Sequence, residues 1–94
     1  MIRSFRSKDT ALIWDETYAR KIPRDIQRRA LLKLQMLNAA SELRDLAIPS
    51  GNWLEALKGN RRGQYSIRVN DQWRICFRWL QLDTFDVELV DYHD

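Results

Sequence analysis

Two stretches near the middle of the chain alternate apolar and polar residues with a period of two. In Gln64–Val69 the apolar Tyr65, Ile67 and Val69 alternate with Gln64, Ser66 and Arg68; in Trp73–Trp79, Ile75, Phe77 and Trp79 alternate with Arg74, Cys76 and Arg78. Such alternation predicts half-buried antiparallel strands. Their register follows because directly opposed residues share a face. A two-residue turn at Asn70-Asp71 would set Ile67 against Arg74. A three-residue loop Asn70-Asp71-Gln72 instead sets Val69 against Trp73, Ile67 against Ile75 and Tyr65 against Phe77, so it is the predicted connection.

Elsewhere the period lengthens. Ile26, Ala30, Leu34 and Leu37, with Leu31 beside them, form one stripe of a helix predicted from about Arg24 to Ala40, with Pro23 in its first turn. A first helix is expected over roughly Lys8–Tyr18 with Ser7 as its N-cap, preceded by a short strand at Met1–Phe5. Ser41–Leu46 fits one further turn, and Ile48-Pro49-Ser50-Gly51-Asn52 is a loop by its turn chemistry. After a turn at Leu80–Asp83, Thr84–Tyr92 resumes alternation, with Phe85, Val87 and Leu89 expected on one side. Strand, helix, helix and then consecutive antiparallel strands predict a two-layer α+β fold, with helices on one sheet face and the other face free.

Ninety-four residues, 45% hydrophobic and 31% charged, make a single domain over 1–94. The net charge of +3 hides a sorting. Residues 55–79 carry Lys58, Arg61, Arg62, Arg68, Arg74 and Arg78 against Glu55 and Asp71, whereas residues 81–94 carry five acids and no Lys or Arg. The register opposes Arg68 to Arg74, a repulsion that a polyanion relieves; the alternative is an ordinary solvated basic face. The basic face of the second helix, Arg24, Arg28, Arg29 and Lys33, reads as solvated, as such faces commonly are, with nucleic-acid contact as the alternative. One Cys cannot form an internal disulfide, and one Cys with one His cannot make a standard zinc site, so neither metal nor cofactor is expected. No stretch is apolar enough for a membrane span, and the expected location is cytoplasmic.

Familiar catalytic signatures are absent: no Gly-x-Ser-x-Gly elbow, P-loop, dinucleotide fingerprint or zinc spacing. What remains is Asp91-Tyr92-His93-Asp94 beside the basic strands. His93 is the only imidazole, and Tyr92 offers a proton donor and a stacking ring. Alone these four residues equally suit a frayed polar end. With Lys58, Arg68, Arg74 and Arg78 they supply what RNA cleavage by the 2′-hydroxyl requires: cations for the developing phosphorane charge and groups that move protons. Glu55 is either a carboxylate base or a surface ion pair with Lys58. Cys76 is expected to be a packed strand residue.

The segments Leu54-Glu55-Ala56-Leu57-Lys58-Gly59 and Ser66-Ile67-Arg68-Val69-Asn70-Asp71-Gln72-Trp73-Arg74-Ile75, with the ending Val90-Asp91-Tyr92-His93, closely resemble the HigB family of toxins within the RelE-like superfamily. The resemblance covers essentially the whole chain. It implies a RelE-like fold and a messenger-RNA endonuclease acting on ribosomes. It also implies a cognate helix-turn-helix, HigA-like antitoxin, with DNA contacted only through the antitoxin complex. Carried onto this chain, the family's active-site pattern marks Lys58, Arg74, Asp91, Tyr92 and His93, with Arg61, Arg62, Arg68 and Arg78 left as RNA-binding cations. One version of the pattern has a His where this chain has Glu55, so either Glu55 serves as base or Tyr92 and His93 share the proton transfers. The alternatives are a gyrase-poisoning toxin of the related ParE type and an inactive RNA- or antitoxin-binding module.

Overall fold

The computed structural model describes residues 1–92. Its order is α1 (Lys8–Trp14), α2 (Arg24–Ala39), β1 (Glu55–Ala56), β2 (Tyr65–Arg68), β3 (Trp73–Leu80) and β4 (Asp83–Asp91), with 3₁₀ turns at Leu43–Ala47, Ser50–Asn52 and Gly59–Arg61. The strands form one antiparallel sheet in the order β1-β2-β3-β4. The predicted register holds, with Ile67 opposite Ile75, Tyr65 opposite Phe77 and Arg68 opposite Arg74. Asn70 builds the three-residue loop: its Oδ1 accepts from the N–H of Gln72 at 2.8 Å and of Trp73 at 2.7 Å, an Asx turn.

The core lies between the helices and one sheet face. Ile13, Ile26, Ala30, Leu34 and Leu37 from the helices meet Ile67, Ile75, Phe77, Val87 and Leu89 from the strands. The α2 stripe is therefore the predicted one, and the helix ends at Ala39. Gln27 ties the connection between the helices, pairing with both backbone groups of Ala19 and donating to the Ile22 carbonyl at 2.7 Å.

Four expectations need correction. Helix α1 stops at Trp14, four residues short of Tyr18, although Ser7 caps it as expected. The cause is a Schellman closure: Thr17 N–H reaches the Leu12 carbonyl at 2.8 Å, Glu16 N–H reaches Ile13 at 3.0 Å, and Glu16 takes a left-handed φ of 58°. The N-terminal segment is two isolated parallel bridges, Ile2 to Thr84 and Phe5 to Val87, rather than a strand.

In β4, Phe85 does not share a side with Val87 and Leu89. The register shifts between Cys76 and Arg78, Asp86 adopts a φ of 53°, and Phe85 falls opposite Arg78. This bulge turns Phe85 to the outer face and puts buried Thr84 on the core side. Finally, the outer face is not freely open, since Ser66, Arg74 and Cys76 are all buried. The segment before β2 lies over it: Arg74 Nη2 donates to the Trp53 carbonyl, and Arg61 reaches Glu88 at 3.2 Å.

Candidate active site

A cleft of about 380 Å³ opens on the outer face beside the β2–β3 loop, and Trp53, Glu55, Arg68, Arg74 and Tyr92 line it with Asn70 and Asp71. Strand pairing explains why these residues meet. Glu55 of β1 lies opposite Ser66 of β2, Ser66 lies opposite Cys76 of β3, and Arg74 is diagonal to Ser66 on the same face. Tyr92 follows the last residue of β4, and its N–H donates to the Gln72 carbonyl at 2.6 Å. Both ends of the outer face therefore converge on Arg74.

Arg74 is the fixed point, only 8% exposed. Its Nε donates to Ser66 Oγ at 2.8 Å, and Nη2 donates to the Trp53 carbonyl at 2.6 Å, with Glu55 Oε1 3.6 Å away. The Tyr92 ring centroid lies 6.0 Å from its guanidinium carbon. A buried cation held on several sides loses little freedom when an anion arrives, the condition for stabilising charge as it develops. Arg68, directly opposite, is countered separately: it is paired with Asp71 and stands over the Trp53 ring, 5.2 Å from the centroid. The expected repulsion between the two arginines is thus met by two local carboxylates. Glu55 pairs with Arg74, and no ion pair joins it to Lys58 among the described residues.

The other predicted residues fall outside this cleft. Lys58 is exposed and leads into the 3₁₀ turn that begins at Gly59, whose φ of 62° suits a residue without a Cβ. Arg62 is likewise exposed. Arg61 is paired with Glu88 at 3.2 Å and Arg78 with Asp86 at 3.4 Å, so both brace the outer face. Asp91 accepts from Gln72 Nε2 at 3.1 Å. His93 lies outside the described residues, as does Asp94.

Sequence reasoning missed Trp53, Ser66, Asn70 and Asp71 as parts of this arrangement. The alternation placed Ser66 on the Arg74 side, and its diagonal position was the available signal. An adjoining cleft of about 670 Å³ shares Arg68, Asn70 and Asp71 and is lined on its far side by α2, including Arg29 and Lys33. Burial, with Arg29 adding to it, pushes the Lys33 ammonium below the usual lysine range; its Nζ donates to Asn52 Oδ1. Cys76 is fully buried, and burial raises its thiol above the usual range.

Comparison with known proteins fits this geometry. Residues 3–93 match a family model described as a RelE-like toxin of type II toxin-antitoxin system HigB. The chain is 46% identical over 66 residues to Toxin HigB-1 of Vibrio cholerae, covering 70% of each chain. It is 32% identical over 93 residues to Endoribonuclease HigB of Proteus vulgaris, covering 99% of this chain and 100% of that one. Among solved structures, the YoeB-YefM toxin-antitoxin complex of Staphylococcus aureus aligns over 100% of this chain and 99% of the matched one, with a TM-score of 0.61 and 18% identity, a likeness of fold. With its fold and nearly its full length matched, the chain belongs to the HigB family of RelE-like toxins of type II toxin-antitoxin systems.

Proposed function

We propose that this toxin is an endoribonuclease that cuts messenger RNA on the ribosome, in the cytoplasm, and is held inactive by a HigA-like helix-turn-helix antitoxin. The observation that carries the reading is Arg74, a cation fixed by Ser66 and the Trp53 carbonyl at the floor of a cleft that also holds Glu55 and Tyr92. The name of the Proteus vulgaris relative, Endoribonuclease HigB, supports it.

In this reaction the ribose 2′-oxygen bonds to the adjacent phosphorus, its proton passes to a base, and the P–O5′ bond breaks as O5′ receives a proton. The products are a 2′,3′-cyclic phosphate and a 5′-hydroxyl. Arg74 faces the phosphorane and balances the charge that grows on its non-bridging oxygens, an electrostatic contribution of about 3–4 kcal/mol for a well-placed donor. Glu55, whose Oε1 lies 3.6 Å from the guanidinium, takes the 2′-hydroxyl proton in this reading. Tyr92 and His93 are assigned to protonation of the leaving oxygen, with Asp91 at the end of β4 and Lys58, exposed outside the cleft, completing the set that the family pattern marks. Arg62 contacts a flanking phosphate; Arg61, Arg68 and Arg78 reach phosphates only by exchanging their carboxylate partners.

Induction without antitoxin, followed by mapping of transcript ends, tests the proposal. The expected result is truncated messages with 2′,3′-cyclic phosphate termini within translated regions. Double-strand DNA breaks with intact messages would assign the toxin to gyrase instead.

A further inference from the structure

Trp53 lines the cleft, and that chemistry gives its ring no task. Tryptophan is highly buried on average, yet this one is 60% exposed. Its backbone is left-handed, φ 44° and ψ 60°, a conformation unfavourable for any residue with a bulky side chain. The fold nevertheless grips it firmly. Its N–H donates to the Ser50 carbonyl at 3.1 Å, and its carbonyl receives Arg74 at 2.6 Å. The preceding Asn52 is fully buried and donates to the Leu46 carbonyl at 3.2 Å. A large flat ring is therefore presented to solvent by an immobilised backbone, one hydrogen bond from the central cation. Arg68 covers part of it at 5.2 Å, and Asp71 holds that guanidinium in place. An indole and a guanidinium are flat groups on which any nucleobase stacks, whatever hydrogen-bonding edge it carries.

We propose that Trp53, with Arg68, is a nucleobase-stacking subsite of the cleft. It takes one unpaired base of a single-stranded RNA, and because the Trp53 carbonyl holds Arg74, it brings the phosphodiester next to that base to the guanidinium. The inference rests on the ribonuclease reading for its substrate. A ring face reads no base edge, so the subsite contributes binding and alignment without sequence choice, and it excludes duplex segments whose bases are already stacked.

The test uses the purified full chain and its Trp53→Ala, Trp53→Leu and Trp53→Phe variants. Cleavage on programmed ribosomes should show KM raised about 5- to 100-fold in the Ala and Leu variants, the range expected for one base–aromatic stack. The Phe variant should recover most of the loss, and melting temperatures should stay close together because the ring is exposed and the bond to Arg74 uses backbone. Fluorescence anisotropy with a uridine hexanucleotide and an abasic hexamer of equal length gives a measurement independent of cleavage. Wild-type protein should prefer the hexamer that has bases, and Trp53→Ala should lose that preference. A protein that cuts nothing but keeps a Trp53-dependent preference sustains the subsite and sinks the ribonuclease reading. Cleavage with unchanged KM in Trp53→Ala, or equal binding of both hexamers by the wild type, overturns the subsite. So does a variant that loses only its affinity for antitoxin.

Discussion

Replacing Arg74 with Ala should damage both folding and catalysis, and the two losses can be separated. The side chain sits in a closed environment at 8% exposure, and its guanidinium satisfies Ser66 Oγ, itself fully buried, and the Trp53 carbonyl. An unsatisfied buried hydroxyl costs about 1–3 kcal/mol. The Trp53 carbonyl belongs to an exposed residue and can turn to water, so it adds less, while the vacated space around the buried stem adds more. The sum is roughly 2–4 kcal/mol, and in a domain of this length each kcal/mol moves the midpoint by about 4–8 °C, giving a melting temperature lower by roughly 8–32 °C. Cleavage, measured well below the lowered midpoint where the variant is folded, should fall by about a hundred- to a thousandfold, as for loss of a fixed oxyanion donor. Arg74→Lys keeps the charge but cannot span Ser66 and Trp53 together, so it should melt between the two proteins and recover little activity. A variant Arg74→Ala melting within about 2 °C of wild type would show that the contacts are not structural. Cleavage within tenfold of wild type would remove Arg74 from the phosphate site.

Further expectations can be checked with the same protein. A chain ending at Val90 should stay folded by circular dichroism while losing toxicity at matched expression, because the core residues Val87 and Leu89 remain and Tyr92 and His93 are gone; full toxicity would contradict the site. His93→Gln should lose most activity if the imidazole moves a proton, read from single-turnover cleavage. Ribosome association should weaken steeply with salt as phosphate contacts release counterions, and co-sedimentation unchanged through molar salt would argue against a phosphate-led interface. Asp83 lies below the usual carboxylate range, chiefly because it accepts from the Met1 ammonium, with Arg3 adding to this. The stability that a lowered folded pKa contributes is present above the unfolded value and is lost as pH falls through the folded one, so Asp83→Asn should be less stable than wild type in urea at pH 7, with the gap narrowing as pH falls below about 4. Cys76 should resist iodoacetamide in native protein and react in urea, as mass spectrometry would show.

The β2–β3 pairing was legible because opposed apolar residues permit only one loop length, and the α2 stripe because its spacing admits one inward face. The bulge in β4 was not: alternation treats Phe85 and Val87 as equivalent, and nothing short of the left-handed Asp86 reveals that two residues there face one. The same limit hid the burial of Arg74. Alternation assigns a residue to a side of the sheet, but what covers that side is decided by tertiary placement, here a segment beginning twenty-one residues earlier at Trp53. A motif marks Lys58, but a motif carries no position in space, and the fold leaves this residue exposed outside the cleft. Trp53 carries no such signal, because no periodicity surrounds it.

The bridges that tie the first residues to the last strand bear on synthesis. Ile2 pairs with Thr84, Phe5 with Val87, and Thr10 Oγ1 receives the N–H of Leu89 at 2.9 Å. The contact between Thr10 and Leu89 spans 79 residues of sequence, so until β4 has been made the amino-terminal segment and α1 have no strand to close against. Contacts so remote in sequence also form slowly, because a long loop must be ordered before they repay it. Tyr92, on the cleft wall opposite Trp53 and Glu55 in sequence, directly follows β4. A nascent toxin is therefore an incomplete one until β4 and Tyr92 have left the ribosome, because only then does the cleft have both its walls.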